Sequence, residues 1–345
     1  MNVSSPIAPR HTPAVPSNRQ PVPPRQDPQE NPLDADDFAF HFCSTCPDHP
    51  SDTPLELPAE DAPRLSKPVL LVHGFNSEPG TWKNMHDWLV RGGANKDGGV
   101  VKGSGGTVDP NAKVFAMEFA RPFNPVSNNA AELRQAIDRI TQATGSAEVD
   151  VIGHSMGGLD TRLYLDQGDE KVDKLLMIAT PNHGSVLADL ELSFRGMGIE
   201  MVPPTDDPLV RQALRDCSEE RGDNNPLLTQ LNKNLPRQAS RAKILTLAGN
   251  GKPTMSSRYT VTVKGDAVVT QASVTLPNIP LRNLWGVDHG QVKDHPDALR
   301  IAGAFLSGAP LPMQQEEPPN LPPDREIVPR KISADKDHIH YFTEN

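Results

Sequence analysis

The sequence contains few aromatic residues, few cysteines and no excess of positive charge. Aromatic side chains make up 5% of the 345 residues, and 34 Lys and Arg face 44 Asp and Glu, giving a formal net charge of −10. An acidic chain offers no basic surface for a phosphate backbone or an anionic membrane. We therefore expect no nucleic-acid partner.

Three cysteines are too few for a disulfide scaffold, and their low frequency fits a reducing compartment. No run of eighteen apolar residues occurs, so we expect no transmembrane segment. The N-terminus also lacks the basic and apolar parts of a secretory signal. Cytoplasmic residence is the default expectation, and export by a specialised secretion system is the alternative.

Proline is concentrated at the two ends of the chain. Of 36 prolines, 14 lie in residues 1–66 and 7 in residues 309–345. Such segments bury too little apolar surface to offset the entropy of ordering. We predict a disordered or extended arm at 1–66, a globular domain at 67–308 and a proline-rich tail at 309–345. Proline-rich arms can present polyproline II ligands to protein partners.

The arm contains a short group of metal-ligand residue types. Cys43 and Cys46 lie between His41 and His49, but no second pair follows at the spacing of a structural zinc site. We expect two reduced thiols and no metal, with a local disulfide and a zinc site as the alternatives.

Apolar strand patterns alternate with helical patterns between residues 67 and 308. This order is typical of βαβ units and predicts an α/β fold, a mostly parallel sheet with helices on both faces. The predicted strands contain residues 68–73, 114–119, 149–152, 175–179, 244–248 and 281–287.

Two segments interrupt the alternation. The glycine-dense residues 92–107 fit no phosphate-binding motif, and we predict a flexible surface insertion there. Residues 185–236 contain apolar positions at helical spacing and predict a helical cap or lid over the sheet.

A G-x-S-x-G sequence, Gly153-His-Ser155-Met156-Gly157, lies between a predicted strand and a predicted helix. A nucleophilic serine requires this context, because it occupies a strained turn where Gly153 and Gly157 let strand and helix approach. The free N–H groups at the helix start favour an oxyanion beside the serine. We predict Ser155 as the nucleophile and the Met156 N–H as one oxyanion donor.

A second donor is expected from the loop after the first strand. There, Gly74 lets the backbone turn close to the nucleophile, and the Phe75 N–H is the predicted donor. We expect His73 to orient this loop by a hydrogen bond.

Three strings, VHGF at residues 72–75, GHSMGG at residues 153–158 and ATPNHGS at residues 179–185, carry a resemblance to a known family. Through them residues 67–308 resemble the α/β-hydrolase superfamily, and within it the bacterial lipases and related lipid-ester hydrolases. The resemblance implies an α/β-hydrolase fold, a serine-histidine-acid triad in that chain order and a reaction without a cofactor.

Three histidines in the domain follow Ser155. His289 comes after the last predicted strand, where the superfamily places its base, and is preferred over His183 and His295. The turn at Asp266 resembles the Gly-Asp-Gly-Val-Val turn of the family, with Ala267 in place of the second glycine. Asp266 is therefore the predicted acid.

Two other aspartates are less suited to act as the acid. Asp288 is adjacent to His289 in sequence and cannot easily reach its imidazole, and Asp207 lies in the insertion. Some lipases of this kind carry calcium near the histidine loop. Asp288, Asp294 and Asp297 could suggest such a site, but they show no matching ligand pattern, so we predict no metal.

These observations predict a serine carboxylic ester hydrolase, lipase-like, that cleaves lipid or acyl-glycerol esters. A short-chain esterase, an acyltransferase and a thioesterase use the same triad and are alternatives. A further alternative, from another class, is a non-catalytic binding module whose proline-rich arms recruit partners.

Overall fold

A computed structural model describes residues 57–168, 170–189, 207–219, 225–257 and 260–326. The features predicted for Cys43 and Cys46, for the arm as far as residue 56 and for the tail beyond residue 326 lie outside these residues. Among the helices of the described ranges, none is long and apolar enough to cross a membrane.

A seven-stranded sheet forms the centre of the described structure, in the order β2-β3-β1-β4-β5-β6-β9 with parallel pairing throughout. Six of its strands coincide with the predicted ones, because short apolar runs covered on both faces form parallel strands. The strands are β1 (Val69–Val72), β2 (Asp97–Lys102), β3 (Val114–Glu118), β4 (Val149–His154), β5 (Val172–Ile178), β6 (Lys243–Asn250) and β9 (Leu281–Trp285).

The edge strand β2 corrects the sequence prediction of a flexible insertion at residues 92–107. It pairs with β3 through a register shift between Asp97 and Gly99. A Cβ on Gly98 would lie 2.3 Å from the Phe115 ring, so glycine is required for the strand to pack there. Gly98 therefore reflects close packing beside a bulge.

Helices cover both faces of the sheet. Val69 and Leu71 pack with α1 and α8, whereas Leu70 and Val72 pack with α2 and α3, as strand alternation requires. The helices are α1 (Lys83–Val90), α2 (Val126–Thr144), α3 (Met156–Asp166), α4 (Pro208–Asp216), α5 (Pro226–Lys233), α6 (Leu235–Arg241), α7 (Gln271–Val274) and α8 (Pro296–Ser307). This arrangement is the predicted α/β fold, a mostly parallel sheet with helices on both faces.

The insertion at residues 185–236 contributes α4 and α5, which pack against α2 and α3. Ala213, Leu228 and Leu231 are fully buried in this contact. The Asp216 carboxylate accepts a hydrogen bond of 2.9 Å from the Val126 N–H at the start of α2. These two helices of the insertion are therefore packed onto the domain. Residues 190–206 of the predicted lid lie outside the described residues.

Residues 57–66 pack against α1 and α8. Ala62 and Leu65 are buried in the core under these helices. Asn95 accepts a hydrogen bond from the Leu65 N–H and donates to the Pro63 carbonyl, at 2.7 and 3.0 Å. The packed structure therefore includes these ten residues.

Residues after α8 cover the open edge of β9. The Gln315 side chain accepts from the Trp285 N–H at 2.9 Å, and Gln314 accepts from Asn283 at 3.3 Å. An uncovered edge strand would present unpaired backbone groups. A second, smaller sheet is antiparallel. Two of its strands, β7 (Thr254–Ser257) and β8 (Thr260–Thr262), come from the chain between β6 and β9. The third, β10 (Arg325–Glu326), comes from the segment after α8.

Candidate active site

Ser155 occupies a sharp turn between β4 and α3. Its backbone has φ 54° and ψ −127°, a strained conformation for a residue with a side chain. A Cβ on Gly157 would lie 2.4 Å from the Val72 carbonyl oxygen, and one on Gly153 would lie 2.8 Å from the Gly158 nitrogen. Only glycine at both positions lets the turn close and present the Ser155 hydroxyl.

His289 joins Ser155 to Asp266 by two hydrogen bonds. Its Nε2 lies 3.0 Å from the Ser155 Oγ, and its Nδ1 lies 2.9 Å from the Asp266 Oδ2. The three predicted residues come from different loops, and the sheet brings them together: His289 lies 134 residues after Ser155 and 23 residues after Asp266. This is the geometry in which a base can take a proton from a serine hydroxyl.

The Asp266 side chain is fully buried and held by its own turn. Its Oδ1 accepts hydrogen bonds from the N–H groups of Val268 and Val269, at 3.0 and 2.7 Å. The Thr254 hydroxyl accepts from the Ala267 N–H at 2.8 Å. Oδ2 is thereby directed at the imidazole.

Two details of this turn were not evident from sequence. Ala267 has φ 78°, so an alanine adopts the left-handed conformation for which the family's turn uses glycine. A Cβ on Gly249, at the end of β6, would lie 2.9 Å from the Asp266 Cβ. Gly249 therefore allows the acid to lie against the sheet.

The alternative bases and acids contact other groups. His183 Nδ1 lies 3.3 Å from Asn232 Nδ2, and His295 Nδ1 accepts from the Asp297 N–H at the start of α8. Asp288 accepts from the Gln291 N–H, and Asp207 begins α4 and pairs with Arg121.

The three aspartates near the histidine loop that could suggest a calcium site each bind a different partner. Asp294 pairs with Lys293, and Asp297 binds Arg300 and Gln315 through its two oxygens. Asp288 binds the backbone, as given above. In the part of the chain that the structure describes, no three carboxylate, histidine or cysteine side chains converge on a metal position.

The predicted oxyanion loop lies directly against the serine turn. A Cβ on Gly74 would lie 2.8 Å from the Ser155 Cβ and 3.2 Å from the Met156 nitrogen. Met156 is the first residue of α3, where the N–H has no acceptor within the helix. Phe75 follows Gly74 in a loop fixed by the hydrogen bond from the Asn76 N–H to the Pro122 carbonyl, at 2.8 Å.

His73 packs behind this loop. Its Nδ1 lies 3.0 Å from the Gly74 carbonyl oxygen, and its ring contacts Phe119 edge to face. Burial lowers the pKa of His73, which favours its neutral form. Through these two contacts His73 can orient the loop, which is the role predicted for it from sequence.

His154, the residue before the nucleophile, was not singled out from sequence. Its Nε2 lies 2.8 Å from the His289 carbonyl oxygen, and the two rings are 4.8 Å apart between centroids. The sequence did contain a signal for this contact. His154 is a polar residue at the end of a buried strand, and a buried imidazole needs a hydrogen-bond partner.

Comparisons with known proteins find one family model and several lipases that match parts of this chain. The family model described as "Domain of unknown function (DUF7379)" matches residues 45–193. A triacylglycerol lipase of Pseudomonas fragi is 26% identical over 39% of this chain and 42% of that protein. One of Pseudarthrobacter phenanthrenivorans is 30% identical over 35% of each.

The matched segment thus spans about two fifths or less of these curated relatives. Among solved structures, the mature lipase BlEst2 of Bacillus licheniformis is 18% identical, with a TM-score of 0.46 over 69% of this chain and 90% of that chain. Together with the parallel sheet and the serine turn, the sequence matches support one conclusion: the chain has the α/β-hydrolase fold and resembles the bacterial triacylglycerol lipases.

Proposed function

We propose that this chain is a serine carboxylic ester hydrolase that cleaves lipid or acyl-glycerol esters. The observation that carries the proposal is the continuous series of hydrogen bonds from the Ser155 hydroxyl through His289 to the buried Asp266. A serine hydroxyl is a weak nucleophile at neutral pH and needs this arrangement to react.

In the proposed reaction the Ser155 Oγ attacks the ester carbonyl carbon while His289 Nε2 takes the hydroxyl proton. Asp266 accepts from Nδ1, which fixes the tautomer and stabilises the imidazolium. The Phe75 and Met156 N–H groups donate to the oxyanion. His289 then protonates the leaving alcohol, and a water molecule, activated by the same imidazole, releases the acid from the acyl-enzyme.

Two partly exposed aromatic rings beside the oxyanion loop, those of Phe75 and Phe123, support a lipid-like acyl group. The Phe75 side chain packs against the buried cluster formed by α2, α3, α4 and α5, and it contacts Phe123 at 5.3 Å between ring centroids. Apolar surface next to the reacting carbonyl stabilises a bound acyl chain by removing it from water. The relatives named triacylglycerol lipase support the same substrate class.

Labelling with a fluorophosphonate probe tests the nucleophile, base and oxyanion donors together. We expect the wild-type chain to be labelled and Ser155→Ala to lose both labelling and ester turnover, by about 10³- to 10⁶-fold for turnover. Ser240→Ala, which alters an exposed serine on α6, is the matched control and should behave as wild type. Undiminished turnover by Ser155→Ala would overturn the proposal.

A series of p-nitrophenyl esters from acetate to palmitate tests the substrate class. A preference for octanoate or longer chains is expected if the rings of Phe75 and Phe123 contact the acyl group. A maximum of kcat/KM at acetate or butyrate would identify a short-chain esterase and reject the lipid assignment, while leaving the ester hydrolase in place.

A further inference from the structure

We propose that His154 is a positioning residue for the base, holding His289 opposite Ser155 by a hydrogen bond to its backbone. This inference rests on the proposed function, because it concerns how the same site is assembled. The supporting contact is the 2.8 Å separation between the His154 Nε2 and the His289 carbonyl oxygen. A carbonyl oxygen only accepts, so Nε2 carries the proton.

The backbone of His289 is held on both sides. Its N–H donates to the Asp266 carbonyl at 2.8 Å, and its carbonyl accepts from His154 at the same distance. Asp266 also binds the imidazole of His289, so the acid fixes the ring and one side of the backbone. His154 fixes the other side.

His154 and Ser155 are consecutive residues, so this contact ties the base to the serine turn itself. The loop that carries His289 follows β9, an outer strand of the sheet, three positions from β4. Without a direct link, small movements of that loop would lengthen the 3.0 Å separation between His289 and Ser155. Misplacing reacting groups by about 1 Å costs on the order of 10²-fold in rate.

The environment of His154 keeps its ring neutral. Burial lowers its pKa well below the usual value, and the positive charges that His289, Lys293 and His73 can carry act in the same direction. The ring also meets Trp82 edge to face, at 6.3 Å between centroids. A neutral donor holds the His289 backbone without placing a second positive charge beside the imidazolium that forms during the reaction.

Two substitutions separate hydrogen bonding from packing. His154→Phe keeps an aromatic ring and removes the donor, whereas His154→Gln keeps an N–H donor at a similar reach. We expect kcat for a p-nitrophenyl ester to fall by about 10- to 100-fold in His154→Phe with little change in KM, and His154→Gln to recover most of the loss. Thermal unfolding of both variants provides the stability control.

Equal activity in the two variants, or losses that follow their unfolding temperatures, would overturn the positioning role. If wild-type protein itself fails to react with the fluorophosphonate probe, the proposed function fails instead. Should either variant not fold, the wild-type tautomer decides: NMR of ¹⁵N-labelled histidine should show His154 as the neutral Nε2–H form from about pH 5 to about pH 8. A protonated ring or an Nδ1–H form in that range contradicts the inference.

Discussion

A single methyl group added at Gly74 should reduce ester turnover by about 10²-fold. The Cβ of Gly74→Ala would lie 2.8 Å from the Ser155 Cβ, 3.1 Å from the His154 carbonyl oxygen and 3.2 Å from the Met156 nitrogen. Ordinary contact begins near 3.4 Å, so the loop and the serine turn must separate by about 0.6 Å. All three contacts are with backbone or Cβ atoms, which cannot rotate away.

This separation moves the Phe75 N–H away from the Met156 N–H, and the two are the proposed oxyanion donors. Losing one such donor lowers kcat by about 10²- to 10³-fold in measured cases, and a displaced donor should lie at or below the lower end. Overpacking should also lower the free energy of unfolding by about 1–3 kcal/mol. The assay is kcat/KM for a p-nitrophenyl ester, with urea unfolding measured in parallel.

Gly80→Ala is the matched control, because the added Cβ would meet only the end of the flexible Glu78 side chain, at 3.4 Å. It should retain wild-type turnover. If Gly74→Ala hydrolyses the ester within about threefold of wild type, the reasoning about donor placement is refuted.

Two further predictions concern stability. Ala267→Gly should raise the free energy of unfolding by about 1 kcal/mol in urea denaturation, because Ala267 has φ 78°, a conformation that glycine adopts without strain. The control Ala304→Gly, inside α8, should lower it by about the same amount, because glycine disfavours a helix interior. Burial raises the pKa of Asp150 from 3.8 to about 6, so the folded state binds the proton more tightly than the unfolded state and stability falls as pH rises from about 4 to about 6. A pKa shift of this size corresponds to about 3 kcal/mol of unfolding free energy. Asp150→Asn should remove this pH dependence, measured by urea titrations at pH about 4 and about 7. The control Asp138→Asn, which changes an exposed aspartate, should keep it.

The strands and the serine turn could be predicted because their determinants are local. Apolar runs such as residues 68–73 and 149–152 form buried parallel strands in any comparable sheet. The G-x-S-x-G spacing likewise encodes a turn geometry, since only glycine fits at positions 153 and 157. The prediction of Asp266 and His289 also required the chain order of the triad, which the family resemblance implies.

The features that sequence reasoning missed depend on contacts between distant residues. Gly98 is a strand residue because the Phe115 ring lies where its side chain would be, which no window around residue 98 reveals. Gly249 has the same relation to Asp266. In both cases the glycine permits close packing, at a sheet edge for Gly98 and at a strand end for Gly249.

The end of the N-terminal arm also depends on contacts with distant residues. Residues 57–66 contain two prolines, Pro58 and Pro63, and resemble the rest of the arm in composition. They are nevertheless packed, because Ala62 and Leu65 enter the core and Asn95 satisfies two of their backbone groups. Composition averages over a segment, whereas packing is decided by a few positions with the right partners.

The hydrogen bonds of the site form a closed loop. Ser155 contacts the His289 ring, the ring contacts Asp266, and the His289 backbone returns to His154, the neighbour of Ser155. Each member is also fixed by its own turn, through Gly153 and Gly157 at the serine and through Val268 and Val269 at the acid. A displacement of any one residue must break at least one of these contacts. The proposed reaction therefore requires little reorganisation of the site. Donors and a base that are already in place are the condition under which a site accelerates acyl transfer most.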